Sequence, residues 1–152
     1  MPTISIMKQK MANMDKDQEF HVLVVDDEFL IRHITAKVLK NQGICVDIAE
    51  DGKQAQAKIL DGQYDLVITD INMPEMNGVE LLYWLKKHRP FIDGIVMTGY
   101  DVSDIQSNEK LEWVREFLIK PFPMEKLQEA VMRCMKRKQS MKGRPKKESE
   151  IY

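Results

Sequence analysis

Short apolar runs alternate with segments of helical spacing through the middle of the chain. Val22–Val25 is continuous and stops at Asp26, as a strand covered on both faces would. Ile31, Ile34 and Val38 follow at helical spacing, which predicts an inward-facing stripe, and Gly43 stands where a helix C-cap belongs. Ile44–Ala49 alternates through Ile44, Val46 and Ile48 in the manner of an edge strand. Asp51 is placed to cap a second helix carrying Ala55 and Ile59, and Gly62 to close it. Leu66–Thr69 is a third strand ending at Asp70, and Gly78, Leu82 and Leu85 line a third helix stopped by Arg89-Pro90. Ile95–Thr98 and Phe117–Ile119 read as strands four and five, the latter ending at Lys120. Between them, residues 100–114 are mostly polar, which predicts a short or mobile helix. Leu127, Val131 and Cys134 stripe a last one. The alternation predicts a doubly wound α/β fold, a five-stranded parallel sheet flanked by five helices.

Composition narrows the class. The chain has 152 residues, 43% of them apolar, which suits one domain with a real core. No run is long and apolar enough to span a membrane, and the N-terminus lacks the apolar stretch and small-residue cleavage site of a secretory signal. Cys45 and Cys134 make no CxxC and no ligand cluster with the scattered His21, His33 and His88. A reduced cytoplasmic protein without structural zinc is expected. The histidines are expected at surface or strand-edge positions and both cysteines in the core. Met132, Met135 and Met141 are expected to pack the last helix, with a partner surface as the alternative.

The net charge of −1 hides an asymmetry: residues 21–125 carry −7 and residues 126–152 carry +6. Residues 1–19 are polar and Met-rich and read as a flexible leader, with the true start Met left open. Residues 139–152 are basic and poor in apolar side chains, and read as a disordered tail. The domain proper is then 20–138.

Open parallel sheets bind ligands at the carboxyl ends of their strands. Strand one delivers Asp26 and Asp27, then Glu28; strand three delivers Asp70, strand four Thr98 and strand five Lys120. Glu28 reads as a first-turn acid complementing the helix dipole. At a separation of about 4 Å and an effective dielectric near 20, each carboxylate pair would repel by roughly 4 kcal/mol. A divalent cation with oxygen ligands would offset this, and Mg²⁺ suits such a site. Lys120 and the Thr98 hydroxyl are suited to hold phosphoryl oxygens. The set points to an aspartyl phosphate on one of the three acids.

VLVVDDE at 22–28, ITDINMPEMNG at 68–78, VMTGY at 96–100 and FLIKPF at 117–122 resemble the receiver domain of bacterial response regulators, in order and in near-family spacing. The resemblance covers roughly residues 20–138. It implies a flavodoxin-like sheet of order 2-1-3-4-5 and a role in two-component phosphorelay. Asp70 would be the phosphoacceptor. Asp27, Asp70 and the backbone carbonyl of Asn72 would bind Mg²⁺ (or Mn²⁺) directly, and Asp26 through water. Thr98 and Lys120 would contact the phosphoryl group, and Lys120-Pro121 would be cis. The donor would be a sensor histidine kinase, a phosphotransfer protein or a small acyl phosphate. The protein would be no enzyme beyond its own phosphorylation and dephosphorylation. Thr98 and Phe117 would act as the switch, altering the face of the fourth predicted helix, strand five and the last helix toward a downstream protein.

Two departures stand out. Trp113 and Val114 occupy the places of the family's usual Gly-Ala pair, and Gly99 stands where Ala or Ser is usual. Tyr100, two beyond Thr98, is expected to cover the phosphoryl site and slow hydrolysis. Too few residues follow the last helix for an effector domain, so a stand-alone receiver is expected, with its oligomeric state open. A second reading takes Lys142-Gly143-Arg144-Pro145-Lys146-Lys147 as a weak AT-hook-like DNA contact. A remote third is a haloacid-dehalogenase-type phosphatase, which would need a DxD where DDE stands.

Overall fold

The computed structural model describes residues 19–99 and 108–142. Five strands form one parallel sheet in the order β2-β1-β3-β4-β5: β1 His21–Val25, β2 Cys45–Ala49, β3 Leu66–Asp70, β4 Asp93–Thr98 and β5 Glu116–Ile119. Four α-helices are present among the described residues: α1 Phe29–Asn41, α2 Gly52–Asp61, α3 Gly78–His88 and α4 Met124–Lys142. The helix predicted within 100–114 falls largely on residues outside the described set; what is described there is a 3₁₀ turn, Glu109–Leu111.

Successive strand residues point to opposite faces, and the core divides accordingly. Val22 and Val24 join Leu39 of α1 and Leu127 and Val131 of α4 on one face. Leu23 and Val25 join Ile59 of α2 and Leu82 of α3 on the other. Both faces are therefore dry, which is why β1, β3 and β4 lack polar alternation. The local signals behave as expected. Asp51 accepts a hydrogen bond from the Gln54 amide at 2.8 Å, Gly43 takes a positive φ of 84° just past α1, and Arg89 is the C-cap of α3.

Three expectations need correction. The buried face of α1 is Arg32, Thr35, Ala36 and Leu39, not Ile31, Ile34 and Val38. Ile34 is exposed, with Phe29 and Leu30. Hydropathy misplaces this stripe because Arg32 turns inward, where its Nη1 donates to the Asp26 carbonyl at 2.8 Å. The last helix runs to Lys142, past the predicted boundary at Lys138. Residues 139–142 contain no Gly or Pro, so nothing local stops the helix there. Arg137 and Lys138 are also docked to Asp93 and to the Phe91 carbonyl. Of the three methionines, Met135 packs against the core while Met132 and Met141 are exposed. Residues 1–18, Tyr100 and the segment 143–147 of the AT-hook-like motif lie outside the described residues.

Candidate functional site at the carboxyl edge of the sheet

Parallel pairing in register aligns the ends of β1, β3, β4 and β5, with Asp70 opposite Met97 and Thr98 opposite Ile119. Asp26, Asp70, Thr98 and Lys120 thereby meet at one edge. The carboxylates of Asp26, Asp27 and Asp70 lie within 4.8 Å of one another. Asp26 and Asp70 are buried and Asp27 is exposed. Lys120 Nζ donates to Asp26 Oδ2 at 3.0 Å and to Asp70 Oδ2 at 2.7 Å. The remaining oxygens are also held: Asp26 Oδ1 accepts from the Glu28 amide at 2.9 Å, and Asp70 Oδ1 from the Asn72 amide at 3.0 Å. The Lys120 amide donates to the Thr98 carbonyl at 2.7 Å, which carries the β4–β5 ladder one residue past the strand. Thr98 itself is buried. Lys120-Pro121 is cis, as expected.

One ammonium faces three carboxylates. Burial raises the Asp26 carboxyl above its ordinary range, against the lowering effect of the Glu28 amide and Lys120. Burial pulls Lys120 down, but its hydrogen bonds to Asp70 and Asp26 outweigh this and hold the ammonium above its usual value. The uncompensated negative charge and the all-oxygen donor set suit a hard divalent cation. Phe117 is partly buried against the α2–α3 face of the core.

Two supporting residues escaped the sequence reading. A Cβ at Gly78 would lie 2.3 Å from the Asp70 carbonyl oxygen. The first residue of α3 is therefore pressed against the strand end that carries Asp70, and its amide donates to the Ile71 carbonyl at 2.8 Å. The place of Gly78 directly after Asn77, at the start of an apolar helix, is the available signal in the sequence. Arg32 buttresses Asp26 through its backbone carbonyl, and no apolar pattern could announce that.

A third finding corrects an expectation. Cys45 is not a plain core residue outside any ligand cluster: its thiol lies beside His21 and Glu19 at the opposite edge of the sheet. Strand register, not sequence spacing, brings residue 45 to residue 21.

Comparison with known proteins agrees with this geometry. Residues 22–132 match the model of the response regulator receiver domain. The chain is 35% identical over 111 residues to the transcriptional regulatory protein ZraR of Klebsiella oxytoca, covering 73% of this chain and 25% of that protein. It is 34% identical over 111 residues to the transcriptional regulatory protein ResD of Bacillus subtilis, covering 72% and 45%. The chain thus spans less than half the length of these relatives. A crystal structure of the response regulator TrrA of Thermotoga maritima, in complex with Mg²⁺ and BeF, superposes with a TM-score of 0.69 at 35% identity, covering 76% of this chain and 98% of that one. This membership displaces the haloacid-dehalogenase alternative. Sheet order, the strand-end acids with their lysine and the match over most of the chain agree: this protein belongs to the response regulator receiver domain family.

Proposed function

We propose that Asp70 accepts a phosphoryl group from a phosphohistidine or a small acyl phosphate, and that the resulting aspartyl phosphate changes the affinity of this domain for a partner. The observation that carries the reading is Lys120 bridging Asp26 and Asp70, with Asp27 in the same cluster. A carboxylate oxygen of Asp70 attacks phosphorus, the donor's P–N or P–O bond breaks, and the leaving imidazole or carboxylate departs with the bonding pair. Asp27, Asp70 and the Asn72 carbonyl would hold Mg²⁺ directly and Asp26 through water, and when bound the ion neutralises charge on the phosphoryl oxygens. Mn²⁺ fits the same oxygen donors. Lys120 would follow the phosphoryl group as it replaces the carboxylate charge, and Thr98 would contact another of its oxygens.

Exposed apolar residues Phe29 and Leu30 follow directly after Asp27 and Glu28, and Ile34 is exposed one turn further along α1. They support docking of a donor protein over the acidic site. For output, Thr98 moving toward the phosphoryl group would free space for Phe117 to turn inward. The face beside it carries a groove of about 400 Å³ lined by Phe117, Ile119, Phe122, Lys126 and Arg133. A phosphoryl group shifts this face only by its differential affinity for the two states.

The test is intact mass after incubation with acetyl phosphate and Mg²⁺. Wild type should gain one phosphoryl group and Asp70→Asn none. Equal gain in both would place the acceptor elsewhere.

A further inference from the structure

At the amino edge of the sheet, His21 and Cys45 are register partners on the neighbouring parallel strands β1 and β2. The ladder extends one residue outward, since the Cys45 amide donates to the Phe20 carbonyl at 3.1 Å. Phe20 turns into the core, so alternation sends Glu19 to the same side as His21. A carboxylate, an imidazole and a thiol therefore converge. Cys45 Sγ lies 3.5 Å from Glu19 Oε2, His21 Nε2 lies 3.6 Å from the same oxygen, and all three donors fall within 4.8 Å of one another.

These separations have a chemical meaning. Tetrahedral zinc, with bonds of about 2.3 Å to sulfur and about 2.0 Å to nitrogen or oxygen, sets neighbouring donors roughly 3.3–3.5 Å apart. The two contacts to Glu19 are already close to that spacing, and the His21 and Cys45 donors lie within 4.8 Å of each other. The donors also differ in kind from those at the other edge. One sulfur, one nitrogen and one oxygen suit a borderline ion such as Zn²⁺, whereas an all-oxygen set suits Mg²⁺. A thiolate and a carboxylate together neutralise a divalent ion. The neighbouring acids do not compete for the place, because Asp47 accepts from the Tyr64 hydroxyl at 2.7 Å and Asp65 from the His21 amide at 2.9 Å. Glu19 and His21 are partly exposed, which leaves ion entry open.

We propose that Glu19, His21 and Cys45 form a Zn²⁺ site, separate from the acidic cluster, with its fourth position open to water or to a donor from another molecule. Binding replaces the thiol proton: the S–H bond breaks, a Zn–S bond forms and one proton leaves to solvent. The ion would tie the segment entering β1 to the edge strand β2.

The experiment uses the full chain carrying Asp70→Asn and Asp27→Asn, which removes the acidic cluster as a competing site. Titration with Zn²⁺ should show one equivalent bound with release of one proton per ion. Co²⁺ in place of Zn²⁺ should give a thiolate-to-cobalt charge-transfer band. Cys45→Ser should abolish the band, and His21→Gln should weaken binding by at least about tenfold. Cys134→Ala should leave both unchanged, and circular dichroism confirms that each variant is folded. Absence of the band in the folded parent, or its persistence in Cys45→Ser, would overturn the proposal. So would Zn²⁺ binding that His21→Gln leaves intact.

Discussion

The two edges of the sheet handle negative charge in opposite ways. At the amino edge the buried acid is matched: Asp93 meets Arg137 at 3.0 Å and Arg115 at 3.6 Å. Asp65 beside it accepts the His21 amide and lies 4.0 Å from Lys138. At the carboxyl edge the Asp26 and Asp70 carboxylates share Lys120, with Asp27 alongside and Arg32 engaged on the Asp26 carbonyl. Matched charge holds elements in place, here α4 against the start of β4. Unmatched charge in a partly buried setting costs stability unless something else completes it. The edge left short of cations is the one suited to receive a metal ion and a phosphoryl group.

Breaking the carboxyl edge should have the larger effect. Lys120→Met removes the ammonium shared by the Asp26 and Asp70 carboxylates and should slow phosphoryl transfer from acetyl phosphate by about 100-fold, the size typical of losing one preorganised charged donor. A time course of intact mass measures this, and a rate within a few-fold of wild type would show that Lys120 only supports the fold.

The glycines sharpen the contrast. A Cβ at Gly78 would meet the Asp70 backbone at 2.3 Å, which cannot yield without moving the acceptor strand. A Cβ at Gly94, near the amino edge, would meet the ring tip of Trp113 at 3.0 Å and the Leu82 methyl at 3.1 Å. Both of those are side-chain ends. Gly78→Ala should therefore cost about 3 kcal/mol in urea unfolding and Gly94→Ala no more than about 1 kcal/mol. Reversal of that order would mean that the loop after β3 is softer than the packing around Trp113.

The amino edge should answer in stability alone. Arg137→Met takes one of two partners from Asp93 and should lower stability by about 1.5 kcal/mol, with phosphoryl uptake from acetyl phosphate unchanged within twofold. A parallel loss of uptake would show that the two edges communicate.

Trp113 also shows how a departure from the family pattern is absorbed. By the resemblance drawn from the sequence the indole stands where a small residue is usual, and Gly94 on β4 supplies the room. Its Nε1 donates to the Lys110 carbonyl at 3.1 Å, and Lys86 lies 5.5 Å above the ring. The substitution was legible in the sequence, but the glycine that accommodates it was not. These positions lie 19 residues apart, and only strand pairing joins them.

The chain's own text determined the five strands, the caps at Asp51 and Gly43, and the acids and lysine at the strand ends. Those signals are local: apolar runs, turn residues and a stop at each strand terminus. Tertiary structure alone decided three further matters. It chose which face of α1 is buried, because Arg32 reaches the Asp26 carbonyl and outweighs the apolar count on the helix. It pressed Gly78 against Asp70, because a helix start and a strand end share one corner of the sheet. It gathered Glu19, His21 and Cys45, because parallel register joins residues that sequence spacing keeps apart. Local preferences are written residue by residue, whereas contacts between distant segments exist only once the sheet has set its register.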